Sequence, residues 1–258
     1  MKRFFALTVL VMMVAGILLT GCSTGASSTS EKFIVGLDDA FPPMGFKDES
    51  GNIIGFDVDM AKEAGKRMGM EVEFKAIDWD SKVLELDGKK IDAIWNGLTI
   101  TEEREKEILF SDPYLENRQV IIVADGSAIK GKADFKDKLV GAQSGSSSVD
   151  AFQKDEDTFK SIKELKQYGD NTQALMDLET GRIDAVVVDE IVGRYYIAKK
   201  PGKYIVLDEH FGSEQYGVGL RKDDTDFRDK LQKALNDMKK DGASAEISKK
   251  WFGEDVVK

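Results

Sequence analysis

Arg104 is a candidate for binding a carboxylate. Its guanidinium group presents a planar fork of donors that bonds both oxygens of a carboxylate, which a lysine ammonium cannot reproduce. It lies in the highly charged segment 101–107, and it could instead pair with Glu107 three residues along a solvated helix. Taken alone, this setting favours the ion pair with Glu107.

A second segment with the chemistry of an anion site is the polar run Gln-Ser-Gly-Ser-Ser-Ser at residues 143–148. It follows a predicted strand, and its small residues let backbone N–H groups approach an anion closely while the hydroxyl groups add hydrogen bonds. A plain capped turn explains the same residues equally well. No Gly-x-Ser-x-Gly spacing occurs here, so the segment is not a nucleophile elbow.

Two acidic residues follow apolar runs, where a carboxylate could meet a cation. Asp189 ends the run 185–188, and Asp38 follows the run 33–37. A carboxylate at the mouth of a buried strand is a suitable partner for an ammonium group. Local roles remain open for both residues, because Asp189 could cap the helix that follows it and Asp38 could cap its own loop.

Strands and helices alternate from residue 33 onward, which is typical of α/β proteins. Asp57 is expected to cap a helix that runs to about Met68, and Thr101 to cap the helix that carries Arg104. An apolar stripe at helical spacing, interrupted at Gly242, predicts two helices near the C-terminus. The predicted strands include residues 33–37, 71–76, 91–95, 119–124 and 139–142.

Residues 1–21 resemble a signal peptide. Two basic residues precede an apolar run at 4–19 that is shorter than the ~20 residues of a membrane span. Leu-Thr-Gly-Cys at 19–22 resembles the lipobox of bacterial lipoproteins, which implies that Cys22 is lipidated after cleavage; an ordinary signal sequence with an incidental cysteine is the alternative. Residues 22–31 then predict a flexible tether.

Composition narrows the classes of protein and partner. The chain has 258 residues and a formal net charge of −10, which disfavours nucleic acid and anionic lipid surfaces as partners. Cys22 is the only cysteine, so no intramolecular disulfide can form and stability must come from a buried core. The length after the signal segment suits two lobes of about 100–120 residues each, and we expect a monomer.

Four segments together resemble the polar amino-acid family of bacterial solute-binding proteins, family 3, which serve ABC importers. Weaker similarity at 143–148 and 188–189 extends the resemblance over nearly all of the chain beyond the signal segment. The four segments are Val-Gly-Leu-Asp-Asp-Ala-Phe-Pro-Pro at 35–43, Gly-Phe-Asp-Val-Asp at 55–59, Asn-Gly-Leu-Thr-Ile-Thr-Glu-Glu-Arg at 96–104 and Phe-Ser-Asp-Pro-Tyr at 110–114.

The resemblance implies a two-lobe α/β fold of the periplasmic-binding-protein type II class, with the ligand cleft between lobes joined by a two-strand hinge. Lobe 1 would comprise residues 32–116 and 216–258, and lobe 2 residues 117–215, with crossings near 116–119 and 213–216. The implied function is the extracytoplasmic, lipid-anchored binding component of an ABC importer, which closes on a polar amino acid and delivers it to the permease.

The resemblance also implies the ligand contacts. The carboxylate of the ligand would meet Arg104 together with Thr99 and the backbone of Gly97, and the ammonium group would meet Asp189. Two serines of residues 143–148 would join the carboxylate from the second lobe. The full set of matched positions is Asp38, Phe41, Trp79, Asn96, Gly97, Thr99, Arg104, Ser146, Ser147 and Asp189.

The residues around the ligand side chain favour a cationic amino acid. The rings of Phe41 and Trp79 can stack on a planar or aliphatic group and attract a cation, and Asp38 adds negative charge. Arginine, lysine or histidine is therefore expected, although glutamine or cystine would also fit; with one motif-placed arginine, an acidic ligand is less expected. Trp95 and Asn96 depart from the smaller residues usual at these positions.

Two other functions are compatible with the same resemblance. Some relatives on this scaffold are cyclohexadienyl or arogenate dehydratases, whose chemistry needs a positioned general acid. The only histidine, His210, lies in a predicted charged loop segment away from the motifs. No metal cluster and no Cys/His or Ser/His arrangement is visible, so neither catalysis nor a cofactor is expected. A sensor or adhesin that keeps the binding fold is the other alternative.

Overall fold

Strands and helices alternate through residues 31–258, the part of the chain that the computed structural model describes. The strands are β1 (Lys32–Leu37), β2 (Ala40–Phe41), β3 (Gly45–Lys47), β4 (Ile53–Ile54), β5 (Glu71–Ala76), β6 (Ala93–Ile94), β7 (Leu109–Phe110), β8 (Leu115–Ala124), β9 (Leu139–Gln143), β10 (Glu164–Tyr168), β11 (Ala185–Asp189), β12 (Tyr204–Tyr216) and β13 (Gly219–Leu220). The α-helices are α1 (Phe56–Met68), α2 (Lys82–Asp87), α3 (Glu102–Glu107), α4 (Ser147–Lys154), α5 (Glu156–Ser161), α6 (Asn171–Glu179), α7 (Glu190–Lys199), α8 (Thr225–Asp241) and α9 (Ala243–Phe252). The predicted signal segment, Cys22 and nearly all of the tether lie outside these residues.

The first sheet is built around β1, whose alternating side chains Phe33, Val35 and Leu37 are fully buried. β1 pairs in parallel with β5 on one side and β6 on the other. β13 then pairs antiparallel with β6 and β7, which gives the strand order β5-β1-β6-β13-β7. The carboxyl ends of β1 and β6 therefore lie at one edge, where Asp38 and Asn96 follow them.

The second sheet has the order β10-β9-β11-β8-β12. Every residue of β11 is buried, as expected for a strand flanked on both sides, and it pairs in parallel with β9 and antiparallel with β8. Asp189 is the last residue of this strand and Gln143 the last of β9. Polar residues thus end both central strands at the same edge of the sheet.

The chain passes between the sheets twice, along β8 and β12, which pair antiparallel with each other. Leu115 lies opposite Tyr216 and Arg118 opposite Ser213, so the two predicted crossing segments are neighbours. A bulge interrupts the pairing beside His210, which lies in β12 rather than in the predicted loop. The lobe boundaries remain a prediction, because residues 31–258 form one compact unit.

Helix α1 corrects one prediction from the sequence. Asp57 does not cap the helix; the helix begins at Phe56 after Gly55, and Asp57 lies buried in its first turn. Met60, Ala61, Ala64 and Met68 form the buried face of the helix, and Gly69 ends it in the left-handed conformation at φ 72°. The carboxylate of Asp57 instead accepts hydrogen bonds from residues distant in sequence, Gly97 and Tyr114.

The two C-terminal helices confirm the predicted stripe and its interruption. Leu231, Leu235 and Met238 of α8 are buried, and Gly242, at φ 86°, separates α8 from α9. A small sheet of β2, β3 and β4 lies beside α1, where Phe46 packs edge-on against Trp251 of α9. Among residues 31–258, no helix combines the length and apolar character needed to cross a membrane.

Candidate functional site

Arg104 lies at the start of α3, and its guanidinium group is buried between elements of both sheets. Thr101 caps the helix as predicted, since its hydroxyl accepts from the Arg104 N–H at 3.1 Å. Arg104 donates to the Thr99 carbonyl at 2.8 Å and to the Gly145 carbonyl at 3.2 Å. Its exposed fraction is 9%, so the alternative of a solvated ion pair with Glu107 is wrong. Burial lowers the pKa of Arg104, which nonetheless remains a cation.

The turn at residues 143–148 joins β9 to α4 and faces Arg104. Gly145 adopts φ 67°, a conformation that few other residues take without strain. The Ser146 hydroxyl bonds within the turn, donating to the Gln143 carbonyl at 2.7 Å. The Ser147 hydroxyl instead reaches across to the Thr99 hydroxyl at 2.9 Å. The turn therefore approaches the first sheet directly and is more than a local cap.

Lys82 is a second buried cation beside this turn, and the sequence did not predict it. Its ammonium group donates to the Gly145 carbonyl at 2.8 Å and to the Trp79 carbonyl at 3.0 Å. Burial, followed by repulsion from Arg104, lowers the pKa of Lys82 to about 7. Two basic side chains, Lys82 and Arg104, therefore donate to the carbonyl oxygen of Gly145.

Asp189 occupies the N-cap position of α7, but its carboxylate makes no cap hydrogen bond, so the capping alternative is wrong. One carboxylate oxygen accepts from Tyr216 Oη at 2.6 Å, from Asn117 Nδ2 at 2.7 Å and from Gln119 Nε2 at 3.0 Å. Burial, followed by the negative charge of Glu214, raises the pKa of Asp189 to about 8.

Glu214 brings a further carboxylate to the same place from β12. Its Oε1 atom accepts from Asn117 Nδ2 and Gln119 Nε2, both at 2.7 Å, and from the Thr99 hydroxyl at 2.9 Å. The Ser147 hydroxyl lies 3.4 Å away. Glu214, Asn117 and Gln119 were not predicted as site residues, although they lie in the two predicted crossing segments, where polar residues in buried strands were the available signal.

Asp38 and Asn96 meet at the edge of the first sheet. The carboxylate of Asp38 accepts from the Ala40 N–H at 2.9 Å and from Gln143 Nε2 at 2.7 Å, so it caps its own loop and also contacts the second sheet. Burial raises the pKa of Asp38 to about 6. Asn96 Oδ1 accepts from the Asp38 N–H at 3.1 Å, and its amide nitrogen packs against Gly45. Asn96 therefore supports Asp38.

Phe41 and Trp79 form two roughly parallel aromatic walls. Their ring centroids are 6.5 Å apart and their planes differ by 11°, near the upper end of the ~4.5–7 Å range for ring pairs. Gly97 lies against this group at φ 58°, and a Cβ atom there would approach Phe41 to 2.8 Å and Tyr216 to 3.2 Å. A side chain at position 97 would therefore displace an aromatic ring.

The backbone of Gly97 is held in place by a hydrogen bond to Asp57. Asp57 Oδ2 accepts from the Gly97 N–H at 2.7 Å and from Tyr114 Oη at 2.9 Å. Burial raises the pKa of Asp57 to about 7, against the opposing effect of these hydrogen bonds. Trp95 is fully buried beside Tyr114, with ring centroids 6.3 Å apart, so it belongs to the supporting core.

All the matched positions therefore lie along the region between the two sheets. The basic side chains of Arg104 and Lys82 meet at the Gly145 carbonyl, and the acidic side chains are those of Asp189 and Glu214 and, separately, Asp38. A neighbouring cavity of about 470 Å³ is lined in part by Thr99, Ser147 and Glu214 but not by Arg104, Asp38 or Asp189. The alternation of positive and negative groups can hold a zwitterion, whose carboxylate and ammonium need opposite partners.

Comparisons with known proteins identify the family to which the chain is similar. The family of bacterial extracellular solute-binding proteins, family 3, matches residues 33–254. The L-cystine-binding protein TcyJ of Escherichia coli (strain K12) is 34% identical over 227 residues, covering 87% of this chain and 84% of that protein. The lysine/arginine/ornithine-binding periplasmic protein of the same strain is 35% identical over 250 residues, covering 93% and 95%.

A solved structure is similar over most of its length. It is an ABC uptake transporter substrate binding protein from Streptococcus pneumoniae with bound histidine, with a TM-score of 0.85 and 38% sequence identity. The match covers 88% of this chain and 94% of that chain. The likeness therefore extends to both sheets and is not confined to one of them.

Proposed function

The chain belongs to the bacterial extracellular solute-binding proteins, family 3, and on that premise we propose that it binds a polar amino acid between its two five-stranded sheets and delivers it to an ABC importer. It is a binding protein and not an enzyme, because relatives aligned over most of its length are named as amino-acid-binding proteins. The dehydratase alternative is therefore not favoured. Its place of action is outside the cytoplasm.

The observation that carries the proposal is the pair of buried opposite charges, Arg104 and Asp189, contributed by elements of different sheets. Arg104 uses two of its five N–H donors on carbonyl oxygens, which leaves three for a ligand carboxylate. The Thr99 and Ser147 hydroxyls lie beside it and complete the proposed carboxylate site. The expected backbone contribution of Gly97 to the carboxylate is corrected, because its N–H donates to Asp57; the Ser146 N–H likewise donates to the Gln143 carbonyl. Asp189 would receive the ammonium group.

We assign the ligand side chain to the space bounded by Phe41, Trp79 and Asp38. With a pKa of about 6, Asp38 is mostly ionised at pH 7 and attracts a cation, and the two rings can stack on a guanidinium or imidazole group. Arginine, lysine or histidine is therefore the leading ligand class. Glutamine and cystine remain second candidates, and a relative named for L-cystine is among those that match.

Binding would proceed by closure of two lobes, residues 32–116 with 216–258 and residues 117–215, about the paired strands β8 and β12. Direct contacts already link the two sides: Gln143 with Asp38, Ser147 with Thr99, and Lys82 with Gly145. A ligand that contacts both sides only when they are together favours the closed form.

The test is calorimetric titration of the mature chain, refolded to remove bound ligand, with the common amino acids, ornithine and cystine. A dissociation constant of ~1 μM or lower, about −8 kcal/mol, for one chemical group of them supports the proposal. Absence of binding to every amino acid would overturn it. Loss of uptake on deletion of the gene would separate an importer component from an adhesin or a sensor.

We further propose that the mature chain is a monomer held at the membrane by lipid on Cys22. The support is the Leu-Thr-Gly-Cys sequence at 19–22 after an apolar run. Mass spectrometry of the N-terminal peptide from the native host should find diacylglycerol on Cys22. A Cys22→Ala variant should lose this modification and leave the membrane fraction. Light scattering of the soluble mature chain measures its molar mass and so tests whether it is a monomer.

A further inference from the structure

Glu214 is a carboxylate that no matched family position assigns, and it lies at the centre of the candidate site. It is half-buried on β12, where the chain returns toward the first sheet. Its Oε1 atom accepts from Thr99 of the first side and from Gln119 and Asn117 of β8. Because its donors lie on both sides of the cleft, all the contacts of Glu214 can form only when the cleft is closed.

Asp189 and Glu214 share their donors and lack a counter-ion. Asn117 Nδ2 and Gln119 Nε2 each donate to both carboxylates, which brings the two negative groups together. Among residues 31–258, neither carboxylate forms an ion pair with a basic side chain, and the nearby guanidinium of Arg104 donates to backbone carbonyls. Buried charge without a partner is costly, so this pair is poised to receive a cation.

We propose that Glu214 is the second carboxylate of the ammonium site, so that the α-ammonium group of the ligand is bound by Asp189 and Glu214 together. The inference rests on the proposed function and adds a specificity residue to it. An ammonium group has three N–H donors in tetrahedral directions, which suits two carboxylates and one further acceptor. A ligand that lacks the ammonium group would leave both carboxylates without a counter-ion.

In the ligand-free site a proton takes the place of the ammonium group. Burial and the charge of Glu214 raise the pKa of Asp189 to about 8, so near pH 7 a proton resides mainly on Asp189. The other groups that face the pair are Tyr216, which donates to Asp189, and the cation Arg104. Glu214 lines the 470 Å³ cavity. The arriving ammonium group replaces the proton, which leaves Asp189 for the solvent.

The experiment compares the unmodified mature chain with Glu214→Gln, which keeps the shape and the acceptor oxygen but removes the charge. The probe is L-arginine, or the tightest-binding amino acid of the titration screen where that differs. Titrations at pH 7 in phosphate and in Tris, which differ in heat of ionisation, measure the protons released on binding. Glu102→Gln is the matched control, because Glu102 is an exposed carboxylate lining the same cavity outside the cluster.

We expect Glu214→Gln to weaken binding roughly 10- to 100-fold, the size of a charged hydrogen bond, and to abolish most of the proton release. Glu102→Gln should change neither. Unaltered affinity and proton release in Glu214→Gln, with normal binding by the unmodified chain, would overturn this inference alone. Absence of binding by the unmodified chain would overturn the proposed function and the inference with it.

A second ligand separates recognition from general damage to the fold. The analogue 5-guanidinopentanoate is arginine without its α-ammonium group, so its binding does not use the proposed contact. Glu214→Gln should bind this analogue as well as the unmodified chain does, or better, while it loses affinity for arginine. Equal losses for both ligands would show that the variant perturbs structure and would overturn the assignment.

Discussion

Arg104 illustrates how burial gives a single charged residue its role. Its neighbours in α3 are exposed, whereas its own side chain turns under the helix toward the carbonyls of Thr99 and Gly145. A guanidinium group held by neutral acceptors keeps its full charge and remains available to an incoming carboxylate. Asp189 is likewise held by neutral donors, the amides of Asn117 and Gln119 and the hydroxyl of Tyr216, and these leave it available to an incoming ammonium group.

Arg104→Ala is expected to weaken amino-acid binding by at least ~1.5–3 kcal/mol, because a charged hydrogen bond to the ligand is lost. Arg104→Lys should also lose affinity, since an ammonium group lacks the planar fork. Calorimetric titration measures both variants, and Lys106→Ala, which removes an exposed positive charge from the same helix, is the control. Unchanged affinity in Arg104→Ala would remove Arg104 from the site.

Asp57 allows a prediction about stability and pH. Its pKa in the folded protein is about 7, above the ~3.9 of an unfolded chain, so the folded state binds more protons between these values. The stabilisation from Asp57 is therefore complete below about pH 4 and is lost as the pH rises to about 7, at up to ~1.4 kcal/mol per pH unit. Urea unfolding at several pH values measures the effect. The free energy of unfolding of Asp57→Asn should fall less steeply with pH between about pH 4 and 7 than that of the unmodified chain. An identical dependence on pH in the two proteins would contradict the assignment.

At the scale of elements, the turn between β9 and α4 packs closely against Asp80 and Lys82 of the opposite side. Gly145 adopts a positive φ, and a Cβ atom there would lie 2.9 Å from the Asp80 Cα atom and 3.4 Å from Lys82 Nζ. The space is taken by backbone of the first side, which cannot move as a flexible side chain would. The turn therefore depends on glycine for both its conformation and its close approach.

Gly145→Ala is expected to weaken ligand binding at least ~10-fold, because the added methyl group holds the two sides apart. Gly126→Ala is the matched control: it has a similar positive φ of 77°, but no atom lies within 4 Å of a Cβ atom there. Both variants should lose ~1–2 kcal/mol of unfolding free energy from backbone strain, measured by denaturant unfolding. Equal binding losses in the two variants would refute a role of Gly145 in closure.

Elements governed by local chemistry were predictable, and those governed by distant contacts were not. Thr101 caps α3 and Gly242 separates the last helices as the sequence predicts, because both effects arise within a turn. Asp57 was misassigned because its partner Gly97 lies 40 residues away. Lys82 was missed because its partner Gly145 lies on the opposite side of the cleft. Glu214 was missed because its partners Thr99, Asn117 and Gln119 are at least 95 residues away in sequence.

At the scale of the whole molecule, the contacts between the two sides extend beyond the candidate site. Phe46 of the small sheet packs against Tyr195 of α7, with ring centroids 5.7 Å apart. This pair lies at the rim of a separate cavity of about 680 Å³, which Asp38, Trp79, Arg104 and Asp189 do not line. It can therefore stabilise the closed form without contacting the proposed ligand.

Tyr195→Ala is accordingly expected to speed ligand dissociation roughly two- to tenfold, because an aromatic pair contributes ~0.5–1.5 kcal/mol that exists only when the two sides are together. Tyr195→Phe keeps the ring and should dissociate at the unmodified rate. Stopped-flow displacement with excess unlabelled ligand measures the rate, and small-angle scattering should show a larger radius of gyration for ligand-free Tyr195→Ala if the pair also favours closure in the free protein. If Tyr195→Ala and the unmodified chain release ligand equally fast, the rim contact plays no part in closure, and the contacts of Gln143, Ser147 and Lys82 must suffice to hold the two sides together.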